Sequence, residues 1–325
     1  MSGSSRARVL CAGSIVLDTI VRRVEDFRWG TTTPVEEIVR HVGGNGANTA
    51  RALALLGCEV DLAGVVGNDD AADFVLNELA KSHIGLQHVA QVDRPSAQSI
   101  VLVNSRGDRQ FLHHFGASEQ AFERSHELTG ILAEETYRHL HLASLYVLPH
   151  LRRAGAGVLR AAKAAGLTTS LDVNWDAFGE WLTVLEPCLP HVDVLFLNED
   201  ESRMMTGLND VGEAADFLQE RGATCVAQKL GQKGCAIFPR KGSPPELCHA
   251  FDVLAVDSTG AGDCFAAGFL SAFLAGRSFQ EAGEHGNAAG AMSVSRLGAV
   301  AGLESAGDFD DWMRTTLRHR SDAAQ

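Results

Sequence analysis

The chain is predicted to adopt an α/β fold, a three-layer sandwich in which helices cover both faces of a mostly parallel central sheet. From residue 137 onwards, short apolar runs alternate with helical segments of about ten residues or more, the pattern of βαβ units. The 33 glycines, about 10% of the chain against a usual ~7%, are clustered, as expected where the backbone bends tightly near a ligand.

The predicted elements follow in order along the chain. A first apolar run, 9–17, is interpreted as a buried strand because Asp18 follows at once and no signal-peptide cleavage site is present. Further strands are predicted at 60–66, 140–148, 167–173, 192–197, 225–230, 236–239 and 250–256. Helices are predicted at 49–56, 71–81, 151–165, 178–189, 211–219, 262–274 and 280–296. Because strands joined through helices need crossover connections, parallel pairing is expected.

One part of the chain does not fit the parallel core. Segments 99–104 and 110–115 mix apolar and polar residues around Arg106-Gly107-Asp108, which indicates a β-hairpin with one wet face. Together with the segment after the first strand, this hairpin is assigned to a small β-sheet lid at about 14–42 and 95–118. No linker or repeat interrupts the sequence, so residues 1–325 are interpreted as one domain that carries this inserted lid.

Composition limits the partners and the location. A formal net charge of −13 makes nucleic-acid binding a poor prospect, since that binding needs many Lys and Arg. No stretch approaches the ~20 apolar residues of a membrane helix, so no membrane association is expected. The seven cysteines are odd in number and lack C-x-x-C spacing, which disfavours a zinc cluster and a secreted disulfide framework. A cytoplasmic protein with reduced thiols is expected.

Residues 257–263 carry the clearest chemical signal, the string DSTGAGD between a predicted strand and a predicted helix. Gly260 and Gly262 remove side chains at the helix N-terminus, so that backbone N–H groups can face an anion such as a transferring phosphoryl group. Asp263 lies in the first helical turn beside them and can accept the proton of an attacking hydroxyl. The alternative is an Asp that only stabilises the helix N-terminus.

A second string, GGNGAN at 43–48, leads into an Ala/Leu-rich helix that ends at Gly57. Asn45 and Asn48 supply amides that can donate and accept hydrogen bonds to hydroxyl groups. A plain turn with an Asn N-cap explains either residue alone. The string lacks the third glycine of a dinucleotide fingerprint, and the chain contains no P-loop pattern.

The two strings together resemble, in the expected order, the signatures of the ribokinase-like (PfkB) carbohydrate kinases. The resemblance covers nearly the whole chain and implies an ATP- and Mg²⁺-dependent kinase. It implies that Asp263 is the general base and that the backbone of Gly260, Ala261 and Gly262 forms the anion hole.

The resemblance also implies the remaining site residues. Substrate is expected between lid and sheet, on Asp18, Asn45 and Asn48, with a hinge at Gly43-Gly44; Arg109, on the lid hairpin, is a further candidate. The nucleotide is expected along Lys229, Gly231, Gly234 and Asn287. Mg²⁺ is expected near Asn198 and Glu201 through water, although an acidic helix N-terminus explains these two equally well. A K⁺ site at Asp257, Ser293 and Gly298 is the least specific of these expectations.

The substrate class follows less directly. A fructose-, ribose- or 2-keto-3-deoxygluconate-like sugar is expected, and the absence of an acidic residue at 144–146 argues against a ribose-like one. An adenosine-type nucleoside kinase is the main enzymatic alternative, disfavoured by an aromatic content of only 6%. A catalytically silent sugar-binding regulator is disfavoured by the intact Gly-Ala-Gly-Asp string. A homodimer through the lid strands is a further expectation.

Overall fold

A computed structural model of the chain describes residues 8–123, 125–133 and 137–322. Its strands are β1 (Arg8–Ala12), β2 (Val16–Arg22), β3 (Glu37–Gly43), β4 (Glu59–Val66), β5 (Gly85–Gln91), β6 (Gln98–Val103), β7 (Arg109–His114), β8 (His139–Ala143), β9 (Thr168–Asp172), β10 (Val194–Asn198), β11 (Cys225–Lys229), β12 (Cys235–Phe238) and β13 (Glu246–Cys248). Its α-helices are α1 (Asn45–Leu55), α2 (Asp70–Ala80), α3 (Ser125–Leu132), α4 (Pro149–Ala164), α5 (Trp181–Leu185), α6 (Glu199–Thr206), α7 (Val211–Glu220), α8 (Ala261–Leu274), α9 (Phe279–Val294) and α10 (Ala306–Asp322).

Nine of these strands form a large sheet in the order β13-β12-β11-β10-β9-β8-β1-β4-β5. Pairing is parallel from β11 through β5 and antiparallel for β12 and β13 at one edge. The central strands are buried along almost their whole length because helices cover both faces, and their side chains are accordingly mostly apolar. The predicted three-layer α/β sandwich with a mostly parallel sheet is confirmed.

The two helical layers enclose separate apolar clusters. Helices α1, α2, α8, α9 and α10 pack on one face of the large sheet, around Leu53, Phe196 and Phe269. Helices α3 to α7 pack on the other face, around Leu142 and Leu159. None of the helices in the described part of the chain combines the length and apolar character that a bilayer span needs.

A separate small sheet contains four strands in the order β3-β2-β6-β7. Strands β2 and β6 pair in parallel, and the outer pairs are antiparallel. Side chains alternate between its faces, so Asp18, Ser99 and His113 share the inner face, while Thr19, Ile100 and Leu112 share the outer one. The predicted small β-sheet is therefore present, and we call these four strands the small sheet.

Several predicted elements differ from the structure. The run 9–17 is divided at Gly13 between two sheets rather than forming one strand. The strand predicted at 140–148 ends at Ala143, because Ser144 takes a left-handed conformation (φ 68°). The helix predicted at 178–189 is reduced to α5, since Pro187 interrupts it, and a short 3₁₀ turn at Leu189–His191 follows.

The strand predicted at 250–256 is wrong, because this segment has no regular structure. The amides of Val256 and Asp257 donate to the carbonyl of Val294 at the end of α9, so they do not pair with a neighbouring strand. The apolar run predicts a buried strand, whereas Leu254 and Val256 are exposed. The elements β5, β13, α3, α6 and α10 were not predicted.

Candidate active site

The carboxylate of Asp263 lies at the N-terminal end of α8, where that helix meets α1. It is 5% exposed, and each of its oxygens accepts one hydrogen bond. Asn45 Nδ2 donates to Oδ1 at 2.8 Å, and Asn48 Nδ2 donates to Oδ2 at 2.9 Å. The structure thus joins the two sequence strings in one contact. The Oδ1 atoms of both amides accept no hydrogen bond from any residue that the structure describes.

The environment of Asp263 favours its protonated form. Burial raises its pKa to about 7, and the neighbouring Asp172 carboxylate adds to this rise. The hydrogen bonds from Asn48 and Asn45, and the positive charge of Lys229, act in the opposite direction. A carboxyl group with a pKa near neutrality can take a proton from a hydroxyl group at physiological pH.

Backbone N–H groups lie beside this carboxylate. The amides of Gly260, Gly262 and Asp263 have no acceptor in the described part of the chain, whereas the Ala261 amide donates to Ser258 O at 3.3 Å. Gly260 takes a left-handed conformation (φ 72°), and a Cβ at this position would lie 2.5 Å from Ala299 Cβ. The turn before α8 therefore requires glycine here, and it leaves three donors at a helix N-terminus.

A buried ion pair flanks the free amides. Lys229, at the end of β11, places its Nζ 2.8 Å from Asp172 Oδ2. A Cβ on Gly262 would lie 3.2 Å from the same Nζ, so this ammonium group adjoins the amides. Burial by itself disfavours the charged amine, but the Asp172 and Glu201 carboxylates raise the pKa of Lys229 above its ordinary value. Lys229 therefore supplies a fixed positive charge.

Asp172 was not predicted as a site residue. The signal for it exists in the sequence, since Asp172 ends a predicted strand just as Asp18 follows one. Strand-end carboxylates in a parallel sheet lie at the edge where ligands bind. The pairing with Lys229 depends on the order of β9, β10 and β11 in the sheet, which the sequence did not specify.

Asn198 and Glu201 form a capping box at the start of α6. Asn198 Oδ1 accepts from the Glu201 amide, and Glu201 Oε2 accepts from the Asn198 amide, each at 2.8 Å. Burial raises the pKa of Glu201. Gln228 Nε2 donates to Asn198 O at 3.0 Å, and Gln228 Oε1 is buried without a partner among the described residues. Asn198 and Glu201 therefore cap the start of α6, which is the alternative to a metal site. The unpartnered Gln228 Oε1 belongs to the side chain that contacts Asn198.

Asp18 lies within β2, on the inner face of the small sheet. It is 8% exposed, and burial raises its pKa to about 6 despite a hydrogen bond with Ser99. Ser99 Oγ lies 3.0 Å from His113 Nδ1. A Cβ on Gly43 would lie only 2.0 Å from Asp18 Oδ2, so glycine at the end of β3 makes room for this carboxylate. The next residue, Gly44, precedes α1 and Asn45.

Arg109 connects the small sheet to the loop before α8. Its Nη2 lies 2.8 Å from Asp257 Oδ1, and its Nη1 donates to Ser258 Oγ at 3.2 Å and to Thr259 Oγ1 at 2.8 Å. The guanidinium group is mostly buried in this contact, with 16% of the side chain exposed. Arg109 therefore links β7 to three consecutive residues of that loop.

The predicted cation ligands are engaged with protein groups. Besides Arg109, Asp257 accepts the amides of Thr259 at 2.8 Å and Gly298 at 2.9 Å. Ser293 Oγ donates to Gly290 O at 2.8 Å. Asp257, the one charged side chain of this set, is therefore already paired with Arg109, and the K⁺ site stays a prediction.

Three of the predicted nucleotide residues, Gly231, Gly234 and Asn287, lie close together, apart from Lys229. Gly231 begins a 3₁₀ turn between β11 and β12, and Gly234 ends it. A Cβ on Gly234 would lie 2.0 Å from Cys248 O. Asn287 Nδ2, on α9, donates to the same carbonyl at 2.9 Å and to His249 O at 3.1 Å. Asn287 is thus buried rather than on a solvated helix face.

Similar solved structures share this fold. The ribokinase of Arabidopsis thaliana, complexed with ribose and ATP, superposes with a TM-score of 0.82 at 24% sequence identity, covering 95% of this chain and 99% of that one. The adenosine kinase of Sinorhizobium meliloti gives a TM-score of 0.80 at 22% identity, covering 94% and 99%. These similarities define the class of the molecule, an α/β protein with the ribokinase-like fold.

Sequence comparison is more specific. Residues 6–306 match the sequence pattern of the pfkB family carbohydrate kinases. The ATP-dependent ribose-1-phosphate kinase of Halopiger xanaduensis is 31% identical over 299 residues, 90% of this chain and 93% of that protein. The 2-dehydro-3-deoxygluconokinase of Bacillus subtilis is 28% identical, covering 90% and 94%. The chain belongs to the pfkB family of carbohydrate kinases, and its enzyme class is a phosphotransferase with an alcohol group as acceptor.

Proposed function

We propose that this protein transfers the γ-phosphoryl group of ATP to a hydroxyl group of a small sugar or sugar acid, with Asp263 as the general base. The observation that carries the proposal is the position of Asp263, a buried carboxylate with a pKa of about 7 next to three free amides at a helix N-terminus. A base and an anion site in contact are what phosphoryl transfer to an alcohol requires.

Each group around Asp263 then has a role in the phosphoryl transfer. Asp263 takes the hydroxyl proton as the oxygen attacks, and Asn45 and Asn48 hold both carboxylate oxygens in place. The unpartnered amides of Gly260, Gly262 and Asp263 and the ammonium group of Lys229 offset the charge on the moving phosphoryl group. The Ala261 amide, also predicted in the anion hole, donates to Ser258 O and is left out of this role. The protein supplies these donors in fixed positions, so little reorganisation accompanies the reaction.

Mg²⁺ fits the oxygen-rich end of β10. Asn198 and Glu201 would hold it through water, and the unpartnered Gln228 Oε1 offers a further buried oxygen nearby. When bound, the ion neutralises phosphate charge. We assign no step to K⁺, because Arg109 and backbone amides already engage Asp257.

The nucleotide is proposed to lie along Gly231, Gly234 and Asn287, with its phosphates towards Lys229. The acceptor is proposed to lie under the small sheet, against Asp18, Asn45 and Asn48, with Arg109 at its edge. Closure of the small sheet about Gly43-Gly44 would exclude water from the transfer.

Three sugar classes remain candidates for the acceptor. Ribose-, fructose- and 2-keto-3-deoxygluconate-like sugars were expected, and the similarity to a ribose-1-phosphate kinase adds a phosphorylated pentose. One observation favours testing adenosine as well. Phe111 is half exposed and shares the inner face of the small sheet with Arg109 and His113, so an aromatic ring is available near the acceptor.

A homodimer through the small sheet is also proposed. Its outer face exposes Ile38, Ile100 and Leu112, and Ile100 lies directly opposite Leu112. Apolar side chains grouped on one sheet face are typical of a protein interface.

The function is tested by measuring ADP release with ATP, Mg²⁺ and a panel of acceptors: ribose, ribose 1-phosphate, fructose, 2-keto-3-deoxygluconate and adenosine. Turnover with a sugar supports the proposal. Adenosine as the preferred acceptor would favour a nucleoside kinase, and turnover with no acceptor would favour a sugar-binding regulator.

The variant Asp263→Asn tests the base. We expect kcat to fall by about 10²- to 10⁴-fold, because Asn cannot accept the proton. ATP binding and the thermal unfolding temperature should stay close to wild type, because the amide is nearly isosteric with the carboxylate. Asn45 or Asn48 can turn its unpartnered Oδ1 to accept from the new NH₂ group. A variant that turned over at the wild-type rate would contradict the assignment of Asp263.

A further inference from the structure

Two cysteines face each other across the antiparallel strands β12 and β13. Cys235 and Cys248 are direct partners in the register of this pair, at the edge of the large sheet. Direct partners in antiparallel strands have Cα atoms about 4.5 to 5.5 Å apart, within the range that a disulfide spans. Both residues are free thiols in the structure.

The two sulfur atoms rest on the same part of α9. A Cβ on Gly283 would lie 2.8 Å from Cys248 Sγ and 3.3 Å from Cys235 Sγ. Each thiol donates to a carbonyl oxygen of α9: Cys248 Sγ to Gln280 O at 3.5 Å, and Cys235 Sγ to Gly283 O at 3.6 Å. The absence of a side chain at Gly283 leaves the sulfur atoms side by side.

Cys248 differs from the other buried cysteines in the direction of its pKa shift. Burial raises the pKa of the thiols of Cys11, Cys188, Cys225 and Cys264. The adjacent Cys235 thiol instead lowers the pKa of Cys248, while Cys248 raises that of Cys235, so within the pair the thiolate forms at Cys248. Cys248 is 4% exposed and lies on an edge strand of only three residues, so a small oxidant would reach it when this short strand opens locally.

The pair adjoins the proposed nucleotide residues. The carbonyl oxygen of Cys248 accepts the amide of Asn287 at 2.9 Å, and the glycine turn that precedes Cys235 packs on the same carbonyl. Any change in the separation of β12 and β13 therefore acts on Gly234 and Asn287 together.

We propose that Cys235 and Cys248 form an oxidative modification site that a peroxide converts into a cross-strand disulfide, and that this bond weakens ATP binding. The effect on ATP rests on the proposed position of the nucleotide, whereas the disulfide itself does not.

The chemistry balances with one peroxide molecule. The Cys248 thiolate attacks one peroxide oxygen, the O–O bond breaks, and the released hydroxide takes a proton to become water, leaving a sulfenic acid. The sulfur of Cys235 then attacks the sulfenic sulfur, an S–S bond forms, and the displaced hydroxide leaves as a second water with the thiol proton. Two electrons pass from the two sulfurs to the peroxide.

The first measurement is chemical and does not depend on kinase activity. The full chain is treated with one equivalent of hydrogen peroxide, and its intact mass and peptides are determined. We expect a loss of about 2 Da, one hydrogen from each thiol, with a 235–248 linked peptide that dithiothreitol reverses. Oxidation that stops at a sulfinic acid, a disulfide elsewhere, or an unchanged mass would overturn the site.

The second measurement concerns the nucleotide. Binding of trinitrophenyl-ATP is compared before and after oxidation, so that the result stands even if no acceptor has been identified. We expect the dissociation constant to rise about three- to tenfold, as for the loss of one hydrogen bond. Equal affinity of the oxidised and reduced protein would overturn the link to the nucleotide.

Matched variants distinguish oxidation of Cys235 and Cys248 from oxidation of other cysteines. Cys248→Ser and Cys235→Ser should each abolish the mass loss and the change in affinity, with Cys248→Ala and Cys235→Ala as replacements if a serine variant does not fold. Cys58→Ser removes a half-buried thiol outside the pair and should respond like wild type. A Cys58 variant that lost the response would contradict the assignment.

Discussion

The protonation of Asp263 is controlled by a few named neighbours. Burial and the Asp172 carboxylate raise its pKa, whereas Asn45, Asn48 and Lys229 lower it, and the result is a value of about 7. Asp263 must be deprotonated to act as a base, so kcat/KM should increase as the pH rises through about 7.

Substitution of Asp172 tests this explanation, because it predicts the direction in which the pKa of Asp263 changes. Asp172→Asn removes a negative charge that raises the pKa of Asp263, and it leaves the positive charge of Lys229 less compensated. Both changes lower the pKa of Asp263, so the acidic limb of the kcat/KM profile should move to lower pH.

Glu220→Gln is the matched control, because Glu220 pairs with Lys241 on the surface and lies outside the site. Its pH profile should coincide with that of wild type. A limb that stayed in place in Asp172→Asn, or that moved to higher pH, would contradict the proposed coupling between the two carboxylates.

At the level of elements, the small sheet is joined to the loop before α8 by Arg109. This side chain pairs with Asp257, which is 2% exposed, and also contacts Ser258 and Thr259. The same loop leads to the free amides beside Asp263. The strand β7 and the turn before α8 are therefore connected through one guanidinium group.

Arg109→Ala should release this connection. Loss of hydrogen bonds between charged groups should lower the free energy of unfolding by about 1.5–3 kcal/mol, measured by urea denaturation. Amide hydrogen exchange should increase in both 109–114 and 257–263, and kcat/KM for the acceptor should fall.

Arg106→Ala provides the comparison on the same hairpin. Arg106 pairs with Asp108 at the turn, and 80% of its side chain is exposed, so its loss should change stability by no more than about 0.5 kcal/mol. Equal behaviour of the two variants would show that the Arg109 contact does not connect the small sheet to the loop.

For the whole molecule, the outer face of the small sheet predicts self-association. Ile100→Asp places a charge in the centre of the exposed apolar face, and it should convert a dimer into a monomer in sedimentation velocity at micromolar concentration. Leu247→Asp is the control, since Leu247 is also exposed, 65% against 44% for Ile100, but lies on β13. Wild-type protein that sediments as a monomer would refute the dimer. The cytoplasmic location stays a prediction.

Much of the fold was predictable, because the local signals agree with it. The parallel core followed from apolar runs alternating with helices, and the small sheet from its hairpin pattern. The errors occurred where tertiary contacts override local preference: residues 250–256 hydrogen-bond to the end of α9 instead of forming a strand, and the run 9–17 is divided between two sheets.

The sequence by itself determined the fold class, the family signatures at 43–48 and 257–263, and the choice of Asp263, since these depend on residues close together in the chain. Only the tertiary structure decided that both asparagines bind Asp263, that Asp172 pairs with Lys229, that Arg109 neutralises Asp257 and that Cys235 faces Cys248. The physical reason is that these contacts join residues about 13 to 218 positions apart, and their partners are set by strand order and helix packing, which local sequence patterns do not encode.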